Sequence, residues 1–405
     1  MIIKRKERVI INFLIIIQEK MAEKKIRIVQ FIITFGVGGA ENIAKQYCEL
    51  IDRNKFEVLV IAIGNQHSYH DLELKEKGID VVYVNDIIDK KFCGILSSLR
   101  RPMHYLFRPH LLKKIINDFN PDIIHYHLPC SKLILQASPK KNVKIFLTVH
   151  SDPVYFWDKN SQWKNDYKST MKLAQKYKFT FIALHNNMKK AIDKVWFKSV
   201  NHNTIILNNG IDLAKFENLL PRGEILYELG IPEKSFVIGH VGSLIAVKNH
   251  DFLIDVFFEL KKQCPEAILL LVGDGVNRSV IEEKIKSLGL ENSVKLLGIR
   301  SDIPQIMKAF DVLVFPSITE GISLTLIEAQ VSGLKCILSD TIPKYNEIST
   351  NLVKFLSLND TPQIWAKNIL DAKLKNIEYS CDSSAWDIKE VVRILEKEYE
   401  KVCDL

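Results

Sequence analysis

The 405-residue sequence has no Cys-x-x-Cys pair, because its seven cysteines are scattered along the chain. That scatter argues against a zinc cluster or a disulfide framework and favours a reducing compartment. The apolar run near the start, Val9 to Ile17, is too short to span a bilayer. A Walker A motif and a Gly-x-Gly-x-x-Gly fingerprint are also missing, so two common signatures of nucleotide sites are absent.

The composition is that of a globular chain, with 47% hydrophobic and 26% charged residues and a length that suits two domains. The net charge of +8 is unevenly distributed, since residues 1–200 carry +15 and residues 201–405 carry −7. A basic first half suits an anionic membrane, an anionic substrate or nucleic acid.

Residues 1–20 differ from the rest of the sequence, because four basic residues precede the run Val9 to Ile17. The segment is similar to a signal-peptide core but lacks a small-residue cleavage site. We predict either that Met21 is the true start or that residues 1–20 form a membrane-touching extension.

The most informative stretch predicts a strand, a loop, a helix and a second strand. An apolar run over Val312 to Phe315 indicates a buried parallel strand, which Pro316 and Ser317 end. Ser323 to Val331 has helical periodicity, and Gly333 ends that helix. These elements form one βαβ unit.

The loop of this unit carries the chemistry. Gly321 allows the backbone to approach a ligand closely, and the free N–H groups from Ile322 to Leu324 predict an anion site. Glu320 precedes the helix, and Glu328 lies eight residues later, about two turns along it. The two carboxylates can therefore contact different groups of one ligand.

The strings Pro316-Ser-x-x-Glu320-Gly and Glu328-Ala-x-x-x-Gly333 resemble the Glu-x7-Glu motif of retaining glycosyltransferases, and glycosyltransferase family four most closely. The resemblance covers nearly all of residues 26–350. It implies the GT-B architecture, an α/β fold of two Rossmann-like domains facing across a cleft, with a C-terminal helix crossing back to the first domain. A structural βαβ unit with two surface carboxylates is the competing interpretation.

The first domain is predicted to begin with a strand over Ile26 to Thr34, a glycine turn and a helix over Asn42 to Ile51. The turn resembles the N-terminal glycine loop of the family. In that loop, Gly38 and Gly39 would approach the donor diphosphate or the acceptor.

Two predicted strands of this domain end in histidine, at the edge where open α/β sheets bind ligands. His127 and His150 resemble the family's His-x-His and Thr-x-His positions, whereas His125 is predicted to lie in the core. A metal site formed by the three histidines is the alternative, although no carboxylate or cysteine completes a ligand set.

The stretch from Lys90 to Asn117 holds seven Lys or Arg residues and no Asp or Glu, interleaved with aliphatic and aromatic residues. This pattern favours contact with an anionic lipid surface, and a solvated basic helix is the alternative. The sequence contains no recognised nucleic-acid-binding module, so nucleic acid is not an expected partner.

The segment Asn208-Asn-Gly-Ile-Asp212 resembles the junction between the two domains of the family. We therefore predict an acceptor-binding domain over residues 21–208 and a nucleotide-sugar-binding domain over 209–380. Residues 381–405 are predicted to contain the crossing helix, over about Asp387 to Val402.

The second domain contains a turn that begins at Gly242, where the family usually has Gly-Arg-Leu and a later lysine. Lys248 matches that lysine, but Ser243 stands in place of the arginine, so a charge-assisted phosphate contact is missing. Ile299 and Arg300 follow another predicted strand and would cover the base of the nucleotide.

The resemblance implies transfer of a sugar from a nucleotide-sugar, which we predict to be UDP-linked, to a glycan with retention of configuration. Glu320 would orient the donor sugar, Glu328 would bind the ribose, and Lys248 would stabilise the leaving diphosphate. His127 would position the reacting groups, with His150 on the acceptor side. The implied donor site comprises Gly242, Ser243, Lys248, Ile299, Arg300, Glu320, Gly321, Ile322, Ser323, Leu324 and Glu328.

No cofactor or metal is predicted, because the sequence has no Asp-x-Asp motif to hold one. The string that follows Glu328 is similar to the capsule and exopolysaccharide branch of the family. That likeness implies an acceptor on a polyprenyl diphosphate and a place at the cytoplasmic face of the inner membrane. Two alternatives stay open, an epimerase or hydrolase on the same fold and a non-catalytic nucleotide- or lipid-binding scaffold.

Overall fold

A computed structural model of the chain describes residues 25–36, 38–64, 67–92, 97–127, 129–150, 164–196, 202–374 and 378–403. The predicted extension over residues 1–20 and the alternative start at Met21 lie outside the described residues. The chain forms two compact units, one containing the residues up to Leu207 and from Val392 onward, the other Asn208–Val391.

The first unit contains a seven-stranded parallel sheet with the strand order β3-β2-β1-β4-β5-β6-β7. Its strands are β1 (Ile26–Ile32), β2 (Phe56–Ala62), β3 (Asp80–Tyr83), β4 (Ile123–Tyr126), β5 (Lys144–Val149), β6 (Phe179–Ala183) and β7 (Asn203–Ile206). Its helices are α1 (Gly39–Leu50), α2 (Tyr69–Glu76), α3 (Val84–Lys91), α4 (Ser97–Phe119), α5 (Ser131–Ala137), α6 (Lys164–Lys176) and α7 (Asn186–Trp196).

The second unit contains a six-stranded parallel sheet with the strand order β10-β9-β8-β11-β12-β13. Its strands are β8 (Phe236–Val241), β9 (Ala267–Val272), β10 (Val294–Gly298), β11 (Val312–Phe315), β12 (Lys335–Ser339) and β13 (Val353–Leu356). Its helices are α8 (Arg222–Glu228), α9 (His250–Gln263), α10 (Arg278–Ser287), α11 (Ile303–Met307), α12 (Leu324–Val331) and α13 (Pro362–Leu374).

The strands are continuous apolar runs because helices cover both faces of each sheet. In β11, all four residues from Val312 to Phe315 are inaccessible to solvent. Two apolar clusters, one on each face of the second sheet, contain Ile238, Leu271 and Val314 on one side and Val237, Leu270 and Leu313 on the other. The predicted α/β fold of two Rossmann-like domains is confirmed.

The strand order places a topological switch point in each sheet. In the first sheet the order reverses between β1 and β4, and in the second between β8 and β11. Ligands of doubly wound sheets bind beyond the carboxyl ends of the strands at such a point. The residues that follow these four strands are therefore the first candidates for a functional site in each unit.

The last helix, α14 (Ile388–Cys403), packs against the first unit with its second half. The ring of Tyr399 is fully buried, and Oε1 of Glu396 accepts the N–H of Asp52 at 2.6 Å. Nζ of Lys55 lies 2.8 Å from Oε1 of Glu400. The helix agrees with the prediction for about Asp387 to Val402.

None of the helices in the described part of the chain combines the length and apolar character needed to cross a bilayer.

Candidate functional site

The candidate donor site lies in the second unit, where β8 and β11 end beside each other. Lys248 closes a short 3₁₀ turn, Ala246–Lys248, and its Nζ lies 2.6 Å from Oε1 of Glu320. The exposed fractions of the two side chains are 16% and 11%, so the pair is largely shielded from water. Nζ also lies 4.8 Å from the centroid of the Phe315 ring, a cation–π contact. The sequence predicts separate ligands for Lys248 and Glu320, and the structure joins them in one ion pair.

The turn after β8 carries Gly242 and Ser243. The Gly242 N–H donates to the carbonyl oxygen of Val272 at 2.9 Å, and a Cβ at Gly242 would lie 3.4 Å from Cε of Lys248. Gly273 has φ +136°, and a Cβ there would collide with the Gly242 carbonyl oxygen. The end of β9 therefore packs closely against this turn. Ser243, which stands where the family has an arginine, is exposed.

Glu328 lies on α12, and its carboxyl is poised to titrate near neutral pH. Burial raises the pKa of this group to about 7, and the positive charge of Lys215 acts in the opposite direction. Lys215 belongs to a 3₁₀ turn, Leu213–Phe216, in the same unit. It is not among the residues that the sequence predicts, because a lone lysine in a polar segment has no distinguishing pattern.

The start of α12 differs from the prediction of free N–H groups. The N–H of Ser323 donates to Oδ1 of the buried Asn346 at 2.8 Å, and Nδ2 of Asn346 donates to the carbonyl oxygen of Gly321 at 2.9 Å. The prediction that Ser323 offers its N–H to an anion is therefore wrong, because a side chain 23 residues away already accepts that proton. Asn346 instead holds the loop after Glu320 in place.

Gln330 supports the same loop from inside the second unit. Its Nε2 donates to the carbonyl oxygen of Asn346 at 2.7 Å, and its Oε1 accepts the N–H of Ile348 at 2.8 Å. The side chain is fully buried and satisfied, which makes it a positioning group. A glutamine on the apolar face of a predicted helix is the sequence signal that could have found it.

The side chains of Ile322 and Leu324 pack into a small apolar cluster with Ile211, Ile327 and Trp386. They hold the loop in place by burying apolar surface.

The predicted edge of the base pocket follows β10, which ends at Gly298 with φ +67°. Ile299 is 64% exposed. The guanidinium of Arg300 binds Asp302 through two hydrogen bonds, of 2.8 Å from Nε and 2.6 Å from Nη2. This bidentate pair raises the pKa of Arg300 and lowers that of Asp302. Ile299 is therefore the exposed apolar side chain at this edge, and Asp302 offsets the charge of Arg300.

The glycine turn of the first unit leads directly into α1. Gly38 precedes the helix, and its carbonyl oxygen accepts the N–H of Asn42 at 2.9 Å, so the helix begins at Gly39 rather than at Asn42 as predicted. A Cβ at Gly38 would collide with the carboxylate of Glu41, whereas Gly39 faces open space. Gly39 is therefore the glycine at which a ligand can approach the backbone.

The histidine that follows β4 is enclosed by protein. His127 is 1% exposed. Its Nδ1 lies 3.2 Å from Nε2 of His150, and its Nε2 lies 3.0 Å from Oε1 of Gln30. His150 is only partly buried, so of the two rings it is the one with more surface accessible to solvent. The structure brings the two predicted histidines together, but it makes His150 the accessible one.

His125 is a core residue, as predicted. Its Nδ1 lies 2.6 Å from the Tyr399 hydroxyl, and its Nε2 lies 2.7 Å from Oγ1 of Thr148. Because these contacts occupy both ring nitrogens, His125 has no lone pair left for a metal ion.

Burial lowers the pKa of each ring in this cluster. The pKa falls to about 3 for His125 and to about 4 for His150, and that of His127 lies well below its ordinary value. All three rings are therefore neutral near pH 7. Within the described ranges, no three His, Cys, Asp or Glu side chains are arranged to hold a metal ion.

Two doubly wound parallel α/β units, each with charged or polar side chains after the strands of its switch point, have the architecture of the GT-B class of glycosyltransferases. Residues 37–215 match the family model described as Glycosyltransferase Family 4, and residues 222–380 match the model described as Glycosyl transferases group 1. The chain belongs to glycosyltransferase family four.

Relatives with similar sequences are glycosyltransferases. A UDP-Gal:alpha-D-GlcNAc-diphosphoundecaprenol alpha-1,3-galactosyltransferase of Escherichia coli is 29% identical over 331 residues, which cover 79% of this chain and 81% of that protein. The glycosyltransferase EpsF of Bacillus subtilis (strain 168) is 39% identical over 171 residues, which cover 41% of this chain. That second match spans 44% of EpsF, less than half of its length.

Among solved structures, the chain is similar to Anabaena Alr3699/HepE in complex with UDP and glucose. The TM-score is 0.68 at 18% identity, and the alignment covers 93% of this chain and 100% of that one. At this level of identity the likeness shows the fold alone.

Proposed function

We propose that the protein transfers a sugar from a UDP-linked donor to a lipid-linked glycan, with retention of configuration, in the assembly of a bacterial surface polysaccharide. The observation that carries this proposal is the Lys248–Glu320 ion pair at the switch point of the second sheet, followed on the same βαβ unit by Glu328. These three charged groups are the chemical complement of a diphosphate, a sugar hydroxyl and a ribose.

In this proposal the bond between the anomeric carbon and the phosphate oxygen breaks, and a bond to the acceptor oxygen forms on the same face of the sugar. The acceptor proton passes to the departing phosphate oxygen, so no protein base is required. Because the acceptor oxygen attacks on the same face directly, no protein nucleophile is required either. Lys248 stabilises the charge on the leaving diphosphate, and Glu320 orients the donor sugar. Because Lys248 supplies the positive charge, we propose that the reaction is independent of metal ions and cofactors.

The first unit binds the acceptor in this proposal. Gly39 lets the acceptor or the donor diphosphate approach the start of α1, with Gly38 as its N-cap. His150 meets the reacting groups directly, and His127 positions them through its hydrogen bond to His150.

The E. coli relative supports the choice of substrates, since its name gives UDP-Gal as donor and a diphosphoundecaprenol-linked acceptor. With a UDP-linked donor and a lipid-linked acceptor, we propose that the reaction takes place at the cytoplasmic face of the inner membrane.

A transfer assay on the full-length protein tests the proposed function. We expect one UDP-sugar in a panel of nucleotide-sugars to raise the melting temperature and to be consumed in the presence of a polyprenyl-diphosphate-linked glycan. NMR of the product should show the anomeric configuration of the donor, and EDTA should leave turnover unchanged. An inverted product, hydrolysis without transfer, or loss of turnover in EDTA that manganese restores would each contradict a named part of the proposal.

The exposed face of α4 fits the proposed membrane location. Tyr105 and Leu106 are 70% and 60% exposed, and Arg101, Lys113 and Lys114 are exposed at helical spacings from them. Apolar side chains flanked by cations suit the headgroup region of an anionic bilayer. This arrangement of exposed apolar and basic side chains supports an association of α4 with anionic lipid rather than exposure to solvent alone.

Charge reversal on this face should release the protein from anionic vesicles. Each cation near such a surface contributes about 1 kcal/mol, so Arg101→Glu, Lys113→Glu and Lys114→Glu together should weaken binding roughly 100-fold. Arg108 is left unchanged, because its Nε donates to Oδ1 of Asn85 at 2.8 Å inside the unit.

Vesicle sedimentation at two salt concentrations measures this effect, because salt screens exposed charges. The matched control reverses three exposed lysines of the second unit, Lys286, Lys344 and Lys367. Binding that both triple variants reduce equally would show a general effect of net charge and would remove α4 from the proposal.

A further inference from the structure

Five polar side chains lie next to one another on one face of the first sheet. Gln30 lies on β1, His125 and His127 lie on and just after β4, and Thr148 and His150 lie on and just after β5. Gln30 and His125 are register partners, and the other positions follow at intervals of two residues. Alternate residues of a strand point to the same side, so the five form a continuous polar row.

The last helix covers this row with one polar group. The Tyr399 ring is fully buried and packs edge-to-face with the Phe146 ring at a centroid distance of 5.1 Å. Its hydroxyl oxygen lies 2.6 Å from Nδ1 of His125 and 3.4 Å from Nε2 of Gln30. Burial raises the pKa of Tyr399 well above its ordinary value, so the group is a neutral phenol at all working pH values.

The contact with Tyr399 orients the amide of Gln30. The amide nitrogen can only donate, and it donates to the phenol oxygen. The amide oxygen therefore faces Nε2 of His127 at 3.0 Å, and because this oxygen can only accept, Nε2 of His127 carries the proton.

The same argument shows which ring nitrogen of His150 carries the proton. With Nε2 protonated, Nδ1 of the neutral His127 ring is an acceptor, and the Nε2–H of His150 donates to it across 3.2 Å. The neutral His150 ring then has an unprotonated Nδ1. Among the described residues this nitrogen has no hydrogen-bond partner, and the ring is partly exposed.

We infer that Tyr399 and Gln30 are positioning residues that set the tautomers of His127 and His150, so that Nδ1 of His150 presents a lone pair to a substrate hydroxyl. This is a hydroxyl other than the attacking one, because the proton of the attacking hydroxyl passes to the departing phosphate oxygen. Its hydrogen bond to Nδ1 holds the substrate in position for transfer. The assignment of the tautomers stands on the hydrogen bonds alone, whereas the role of the lone pair rests on the proposed function.

The tautomers can be measured on the full-length protein without any change to the network. Long-range proton–nitrogen correlation spectra of histidine-labelled protein distinguish the two neutral forms, and His127→Gln and His150→Gln variants assign the signals. We expect the Nε2–H form at both positions at pH 7.5. The Nδ1–H form at both positions would mean that the Gln30 amide has the opposite orientation, and it would overturn the inference.

A matched pair of variants tests the part played by Tyr399. Tyr399→Phe should leave His127 as a mixture of tautomers and lower kcat about five- to tenfold, the effect of one neutral hydrogen bond, while nucleotide affinity stays unchanged. Tyr177→Phe is the control, because Tyr177 is also buried in the first unit and its hydroxyl donates to the Pro139 carbonyl oxygen at 2.8 Å.

The control should lose stability to a similar extent and change neither the tautomers nor kcat. If Tyr399→Phe behaved in the same way as Tyr177→Phe, Tyr399 would be a structural residue only. If no donor in the panel supported transfer, the proposed function would fail, and the spectra of wild type and Tyr399→Phe would still decide the tautomer assignment.

Discussion

Lys248→Ala is expected to lower turnover by about 10²–10³-fold and donor affinity along with it. The lysine would stabilise the diphosphate both before and during transfer, and loss of one such donor from an enclosed site has effects of this size. With Ser243 at the position of the family's arginine, less positive charge is available nearby to compensate. Calorimetry with the donor and steady-state kinetics with the acceptor measure the two effects.

The same substitution leaves Glu320 without the cation that lies 2.6 Å from it in the wild type. We therefore expect a stability loss of about 1–3 kcal/mol, which Glu320→Gln should partly restore in the double variant without restoring turnover. Lys262→Ala is the control, because Lys262 also pairs with a glutamate but is 53% exposed. An unchanged kcat and donor affinity in Lys248→Ala would exclude the lysine from the diphosphate site.

Donor affinity is expected to rise with pH through about 7 and to lose this dependence in Glu328→Gln. Burial raises the pKa of Glu328 to about 7, so the carboxyl is protonated below that pH and ionised above it. Only the ionised form accepts charge-assisted hydrogen bonds from two ribose hydroxyls. Their loss in Glu328→Gln should weaken binding at pH 8 by ~1.5–3 kcal/mol, about 10- to 100-fold.

The stability of the free protein provides a second measurement on Glu328. The pKa of this group is 4.5 in its ordinary state and about 7 in the folded chain. Between these values the folded state holds the proton more tightly than the unfolded state, so this group makes stability fall as pH rises through that window. Glu328→Gln should remove that fall, whereas the exposed control Glu282→Gln should not. A pH-independent donor affinity in the wild type would argue against a ribose contact.

The elements of both sheets could be predicted from local patterns. The strand predicted over Val312 to Phe315 is observed with the same bounds, and the helix predicted from Ser323 begins one residue later. Apolar runs bounded by turn residues predict these elements, because the residues within one element determine its backbone hydrogen bonding and the face that it buries. Gly333, with φ +71°, ends α12 as predicted.

The start of α1 was misplaced for a local reason, since the Gly38 carbonyl accepts the N–H of Asn42 four residues later and the helix begins at Gly39. The wrong prediction at the start of α12 instead depended on a partner distant in sequence, because the Ser323 N–H is taken by Asn346, 23 residues away. A helix start that is free in a local pattern can be capped by any side chain that the fold brings to it. The local sequence pattern does not show which distant side chain will cap the helix.

The family, the two parallel sheets and the residues that follow the strands at each switch point can all be identified from the sequence, because they depend on periodicity, on turn residues and on short motifs such as Glu320 to Glu328. The contacts that those residues make come only from the tertiary fold. It paired Lys248 with Glu320 across 72 residues and joined Gln30 to Tyr399 across 369. Side-chain charge, tautomer and access depend on what surrounds a group in space, and only the packing of distant segments creates those surroundings.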